Sequence, residues 1–394
     1  MLEDLVSFPL LNLPYSCTTF EYSAEKLQGS PSLHDWLRVC ASSIPTFKKH
    51  ASADDTVEIE DRMEAVKQFE AEFIQILTRL QEHPSADIPG YKAQPVNCLS
   101  LCRVRDQCLH NAGFLDIFRA VKEQENMQAL NVLPSVLQEL DQIQDMHERW
   151  NLCLRGVFAG NIFDLGAVAS AELFNKNGAA NSFSETRQKL LPRPWAVDDL
   201  DAILLRICGD IRSNLQCGAE GSSVQDSSNG LPVTSSVYNK VLLFVDNAGS
   251  DLVLGMLPLA REFIKLGTEV ALVANRGPTI NDITYRELLP LVQEAAGRDS
   301  VLREALDSSR LKVVCSGSDL PVIDLSVVSK ELAAECEGVD LVVLEGMGRA
   351  IETNLHAKFT CDSWKLGMIK HPEVATCLNG RMYDCVCKYD VVIP

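Results

Sequence analysis

The sequence predicts an α/β protein with a mostly parallel sheet in its C-terminal half and a long helical region before it. Three observations point there. Between about Ser32 and Ile207 apolar residues recur every three or four positions. The stretch Cys217–Ser236 is rich in Gly and Ser and poor in large apolar residues, which reads as a flexible loop. Beyond it, short apolar runs alternate with amphipathic segments, the pattern of repeated βαβ units. The chain therefore divides into a helical region (1–212), a loop (213–237) and a sheet domain (238–394).

The helical elements come first. In "VEIEDRMEAVKQFEAEFIQILTRLQEH" the residues Met63, Val66, Phe69, Phe73, Leu77 and Leu80 form one apolar face. "FLDIFRAVKEQENMQAL" and "VLPSVLQELDQIQDMHERWNLCL" continue in that style. The candidate strands follow: "KVLLFV" (240–245), "EVALVA" (269–274), "LKVVC" (311–315), "DLVVL" (340–344), "KLGMI" (365–369) and "YDCVCK" (383–388). Most are continuously apolar, as strands buried on both faces are. The last alternates more and reads as an edge.

Bulk properties exclude several functions. The 394 residues are 46% hydrophobic and 6% aromatic, enough for a sizeable core. A net charge of −18 repels nucleic acid and anionic membranes, so neither is expected as a partner. An anionic substrate stays open, because a bound divalent metal and a few lysines invert the potential locally. Fourteen cysteines lie in no zinc-binding spacing; Cys98/Cys102 and Cys385/Cys387 are the close pairs. They read as reduced thiols, which points to a cytoplasmic location. The N-terminus "MLEDLVSFPLLNLP" is acidic and its apolar stretch is short for a signal peptide, and no run of about 18 apolar residues suggests a membrane span. The oligomeric state is not set by the sequence, which leaves a homo-oligomer open.

Ligands of open α/β sheets bind beyond the carboxyl ends of the strands. Asp246 and Asn247 stand at that end of the first strand, in "KVLLFVDNAGSDLVLG", and Asp251 starts the next helix. The second strand leads into "NRGPTINDIT", with Asn281 and Asp282 just before another helix. Two carboxylates and an amide from neighbouring strand ends are hard oxygen donors, suited to Mg²⁺ or Mn²⁺. Each alone also reads as a helix cap or a turn closer, Asp282 as the N-cap of "ITYRELL". "DNAGSDLVLG" lacks the glycine spacing of a dinucleotide loop, no P-loop motif occurs, and Ala248 breaks the DxD of aspartyl phosphatases.

A second signal is "LEGMGRAIETN" (Leu344–Asn354), again directly after a strand. Gly346 and Gly348, flanking Met347, allow close backbone approach, Arg349 can grip phosphate, and Glu345 can act as a ligand or orient Arg349. A glycine turn with a surface arginine is the bland alternative. Lys370 and Lys388 each lie at a strand terminus and could neutralise a phosphate; each alone is more often solvated. In "RGVFAGNIFDLG" (Arg155–Gly166), Asn161 and Asp164 would share a helical face over the same crevice, or mark a helix kink.

Taken together, "FVDNAGSD", "INDIT", "SGSDLPVIDLS", "VLEGMGR", "AGNIFDLG" and "LPRPWAVDDL" resemble the metal-dependent damage-control phosphatases. The EGMGR signature is similar to that of the subgroup found alone in plants and fused C-terminally to pantothenate kinases. The resemblance runs from about Phe8 to Tyr389; the loop 217–236 is longer than in relatives. It implies a three-layer α/β/α, Rossmann-like fold with an N-terminal α-helical bundle packed over it. It also implies hydrolysis of phosphomonoesters with Mn²⁺, Mg²⁺, Co²⁺ or Ni²⁺. Asp246, Asn247 and Asp282 fall on the family's metal ligands, Asp251 on the acidic position beside the substrate, and Glu345–Arg349 on the subgroup signature. Lys370 and Lys388 fall on phosphate-binding lysines, and Asn161 and Asp164 on the Gly-Asn-x-x-Asp element.

On that reading the metal polarises the phosphoryl group and activates water, with Asp246 and Asp251 at the reaction centre. Arg349 and the lysines stabilise charge on the transferring phosphoryl. The partner is a small phosphorylated metabolite. The association with pantothenate kinase implies 4′-phosphopantetheine and its oxidised or damaged forms, with sugar phosphates as the broader fallback. A catalytically silent sensor of a phosphorylated metabolite is the rival, and an S-adenosylmethionine-dependent carboxyl methyltransferase ranks last because "DNAGSD" supplies one glycine.

Overall fold

A computed structural model describes residues 5–25, 30–88, 96–162, 179–217 and 237–392. Its centre is a seven-stranded sheet of order β1-β7-β6-β5-β2-β3-β4. The strands are β1 (Val197–Asp198), β2 (Lys240–Phe244), β3 (Glu269–Ala274), β4 (Leu311–Cys315), β5 (Leu341–Glu345), β6 (Asp362–Met368) and β7 (Cys385–Asp390). All neighbours are parallel except β6 and β7. The expected mostly parallel sheet, with helices on both faces, is what the chain forms.

The final strand departs from expectation. β7 is not an edge, because the two-residue β1 pairs with it through Val197 and Val386. It also runs antiparallel to β6, pairing Lys388 with Lys365. Its alternation reflects two different cores: Cys385 and Cys387 enter one face of the sheet and Val386 the other.

The helical region splits by what it packs on. Helices α1 (Leu33–Ala53), α2 (Arg62–Glu82) and α3 (Cys98–Asn111) share a core of their own, built on Phe47, Phe69, Phe73 and Phe118. Helices α4 (Arg119–Gln142) and α5 (Met146–Asn161) instead join the sheet's core, where Leu133, Trp150 and Phe158 meet Leu243, Leu252 and Phe263. Capping boxes start α1 at Ser32 with Asp35 and α3 at Asn97 with Ser100. No helix among the described residues is long and apolar enough to cross a membrane.

The N-terminal segment lies across the other face of the sheet. Val6 bridges Val328, Leu11 bridges Phe359 and Thr18 bridges Thr353, so the residues around the EGMGR turn are braced from outside. Phe8 is 1% exposed and packs edge-on against Phe244 and Phe359.

Candidate active site

The carboxyl ends of β2, β3 and β5, adjacent in the sheet, bring the sequence's polar clusters together. After β2 the chain turns at Gly249, whose φ of 72° lies in the region that favours glycine. A π-helical turn then spans Asp251–Met256, and a second follows β5 at Met347–Glu352. Such turns depart from regular α-helix and recur at functional sites.

Backbone hydrogen bonds lock the two oxygen-rich loops against each other. Ala248 N–H donates to Asn281 O at 3.0 Å, Ile283 N–H donates to Asp246 O at 3.0 Å, and Asn247 forms an isolated bridge with Asp282. The predicted trio Asp246, Asn247 and Asp282 is therefore held at one place. Thr284, with Glu287, forms the capping box of the helix Tyr285–Ala296. Asp282 is not its cap, which removes the bland reading of that residue.

Asp251 does not cap its own helix either. Its Oδ2 accepts from Asn247 Nδ2 at 2.8 Å and from Asn161 Nδ2 at 3.1 Å. The same Asn161 Nδ2 donates to Glu345 Oε1 at 2.7 Å, while Glu345 Oε2 accepts from the Asp246 N–H at 3.0 Å. Asp246, Asp251 and Glu345 each offer an oxygen within 4.8 Å of the others, and all three are buried. Burial pushes the Asp251 carboxyl above the usual carboxylate range, while nearby Lys370 and the amides of Asn247 and Asn161 oppose that rise.

Arg349 bridges Asp246 and Asp282, its Nη2 lying 2.5 Å from Asp282 Oδ2. Sequence reasoning assigned this arginine to the phosphate; the structure pairs it with two carboxylates of the proposed metal trio. Lys370 is 3% exposed and reaches the same space. Asp246, Asp251, Asp282 and Glu345 thus gather four buried carboxylates around Arg349 and Lys370.

Two further observations fit a hard cation. Asn247 Oδ1 and Asp251 Oδ1 are buried acceptors that receive no hydrogen bond among the described residues. Such acceptors are costly to leave bare and are natural oxygen ligands. Asp246 belongs to both the predicted trio and the tighter carboxylate cluster, so it anchors either arrangement.

Gly346 and Gly160 explain the glycines of both motifs. Gly346 has φ 103°, and a Cβ there would fall inside the Asp246 carboxylate. A Cβ on Gly160 would meet Asp251 Cα at 2.8 Å, so helix α5 approaches the π-turn only because that position is bare.

Lys388 is not brought to the site. Because β7 runs antiparallel, its ammonium turns back along the sheet to pair with Asp390, which Lys358 and the buried Lys365 also contact. Asp164 lies outside the described residues. The sequence reading missed the helical contribution of α4. Asn126 accepts from the Gly249 N–H at 2.7 Å, and buried Lys122 reaches Asp282 O at 3.5 Å while pairing with Asp116 and Glu287. A lysine in register with the apolar positions of the helix, Lys122 with Ala129, Leu133 and Val136, was the available signal.

A cavity of about 380 Å³ opens beside these groups. Asp246, Met347, Gly348 and Lys370 form one part of its wall; Trp36, Val39, Cys40 and Phe47 of α1 and Leu101 of α3 form another. The helical region therefore supplies the far side of the pocket.

A family model described as the damage-control phosphatase ARMT1-like domain matches residues 39–386. A damage-control phosphatase from Arabidopsis thaliana is 41% identical over 397 residues, covering 99% of this chain and 98% of that protein. Pantothenate kinase 2 of the same plant is 37% identical over 99% of this chain but 42% of its own length. The 4′-phosphopantetheine phosphatase of Mus musculus is 30% identical over 98% of this chain and 49% of its own length. A solved DUF89 family protein from Pyrococcus horikoshii shares the fold, with a TM-score of 0.53 at 16% identity over 89% of this chain and 96% of that one.

Proposed function

From the premise that this chain belongs to the damage-control phosphatase family with the ARMT1-like domain, and is a phosphatase, we propose that it hydrolyses 4′-phosphopantetheine and its oxidised or damaged forms with the help of a divalent metal. The observation that carries the metal is the pair of bare buried acceptors, Asn247 Oδ1 and Asp251 Oδ1, beside three clustered carboxylates. The substrate reading draws on the mouse relative's activity and on the shape of the cavity, which joins a charged part to a largely apolar one.

Asp246, with Asn247 and Asp282 or with Asp251 and Glu345, would hold the ion. Mn²⁺, Mg²⁺, Co²⁺ and Ni²⁺ are the candidates, and such an ion supplies Lewis-acid charge to the phosphoryl group. The rest falls to the chain. Asp251, whose carboxyl burial raises above the usual carboxylate range and whose Oδ1 accepts from no donor among the described residues, would take the proton of the attacking water. Asn161 and Asn247 fix the orientation of that carboxylate. Lys370 would neutralise the phosphate, and Met347 and Gly348 lie on the same wall. Arg349 sets the spacing of Asp246 and Asp282.

The test is phosphate release by metal-stripped protein after adding back Mn²⁺, Co²⁺, Ni²⁺ or Mg²⁺. 4′-Phosphopantetheine is compared with a sugar-phosphate panel, and Asp246→Ala is the control. Metal-dependent release that the control lacks supports the proposal. Binding of 4′-phosphopantetheine without release under any metal would make the protein a sensor instead.

A further inference from the structure

The metal and phosphoryl groups account for one part of the cavity wall and leave the rest without a task. In that remainder Tyr22, from the N-terminal segment, stands with Trp36, Val39, Phe47 and Leu101 of the helical region. Trp36 and Phe47 are buried, whereas Tyr22 is half-buried and lines the cavity. Tyr22 and Trp36 are stacked, with ring centres 4.7 Å and planes 18° apart, and Phe20 stacks on the same indole at 6.1 Å.

The stretch that carries Tyr22 is fixed on both sides. Before it, Thr19 N–H donates to Glu352 O at 2.9 Å and Cys17 O accepts the Asn354 N–H at 2.9 Å. These bonds tie it to the end of the second π-helical turn, Met347–Glu352. After it, Ser23 O accepts the Leu33 N–H at 2.7 Å, which ties it to the start of α1. Between the two anchors Tyr22 packs against three hydrophobic clusters. One lies on the sheet face that the N-terminal segment covers, one is the core of α1–α3, and the third is the small group of Cys98, Leu99, Leu320 and Val322. A ring already held this firmly loses little freedom when a ligand meets it.

A phosphate anchored beside Lys370 carries its organic substituent into the remaining space. An aromatic wall there rewards apolar surface, roughly in proportion to the area covered. A polyhydroxylated substituent gains less, because ring faces offer its hydroxyls no hydrogen-bond partners.

Resting on the phosphatase reading of this same site, we propose that Tyr22, seated on Trp36, is a specificity residue that grips the substrate's organic substituent by apolar contact. The N-terminal segment thereby selects phosphomonoesters by the apolar length of what the phosphate is attached to. Tyr22 touches no reacting atom. Its loss weakens binding of long substituents and spares the phosphate itself.

Alkylphosphonates test this without turnover, because they keep the phosphate's charge but have a P–C bond in place of the ester. Methyl-, propyl- and hexylphosphonate are titrated by calorimetry, with Mn²⁺ present, into wild type, Tyr22→Phe and Tyr22→Ala, and thermal melts establish that each variant is folded. Wild type should gain about 2-fold to 4-fold in affinity per added methylene, the effect of burying a CH₂. Tyr22→Phe should keep that slope. Tyr22→Ala should reduce it to below about 1.5-fold per methylene while binding methylphosphonate like wild type. Trp36 fluorescence is a second readout that needs no Tyr22 variant. Hexylphosphonate, but not methylphosphonate, should change the emission of wild type, and Trp36→Phe should remove the change, because Trp150, Trp195 and Trp364 belong to the core on the other face of the sheet. Affinity that does not rise with chain length, an unchanged slope in Tyr22→Ala, an equal loss there for all three ligands, or emission blind to hexylphosphonate would overturn the inference. The expected slopes in a protein that releases no phosphate from any ester would leave it standing and defeat the phosphatase reading alone.

Discussion

Gly346 and Asp246 occupy each other's space: a side chain on the glycine would stand where the aspartate carboxylate is. The strand ends of β2 and β5 can converge this closely only because residue 346 has no Cβ and adopts φ 103°. The Gly346→Ala variant should lose at least about 100-fold in kcat/KM, since displacing a reactive group by an ångström has that effect. The left-handed backbone adds about 1–2 kcal/mol of strain, visible as a lower melting temperature. Wild-type turnover by this variant would mean that Asp246 is not needed where it stands.

Arg349 pairs with both Asp246 and Asp282, across the ends of two neighbouring segments. Removing it as Arg349→Met takes the bridging counter-charge from two buried carboxylates, a loss of about 3–5 kcal/mol. Urea unfolding should show that loss in metal-free buffer and a partial recovery on adding Mn²⁺. If Mn²⁺ restores nothing, the two carboxylates do not share a cation.

Asn161 ties three elements together, donating to Asp251 and Glu345 and accepting the Met368 N–H at 3.1 Å. Asn161→Ala should destabilise by about 1–3 kcal/mol for each buried group left unsatisfied and reduce kcat about 10-fold to 100-fold. Asn161→Asp should be worse, because it sets a third carboxylate against Asp251 and Glu345. Kinetics of the pair in parallel decide the matter: an equal or better Asp variant would show that Asn161 acts by shape alone.

Burial holds the cysteines protonated well beyond their ordinary range. Cys40, Cys336 and Cys361 are pushed up to about 12, and Cys387 lies well above the ordinary value. A folded pKa raised above the unfolded one means the folded state binds protons more tightly at alkaline pH. The stability this contributes is complete below the unfolded thiol value, about 8.5, and is lost as pH rises toward the folded values. The urea midpoint should therefore fall steadily between about pH 8.5 and pH 10.5. Replacing Cys387 by Ala should flatten that fall, whereas a midpoint independent of pH would show that the thiols are not desolvated.

Much of the fold was legible because strand and helix signals are local. The strands Glu269–Ala274 and Leu311–Cys315 coincide with their apolar runs residue for residue. The direction and neighbours of β7 were not legible, since antiparallel pairing with β6 depends on a turn and on the two-residue β1 far upstream. That is why Lys388, plausible as a phosphate ligand by its place at a strand end, faces Asp390 instead. Likewise Thr284 rather than Asp282 caps its helix, a distinction of two residues that periodicity does not resolve.

The sequence by itself determined the kinds of element, their order, the oxygen-rich motifs at the strand ends and the family whose motifs these are. Periodicity and residue chemistry are properties of short segments, so they survive without coordinates. Tertiary structure alone decided which side chains share a site. Asn161 and Glu345 are 184 positions apart yet meet at 2.7 Å, and Arg349 pairs with both Asp246 and Asp282. Such meetings are set by the non-sequential order of the strands and by close packing at bare glycines, which no local pattern encodes.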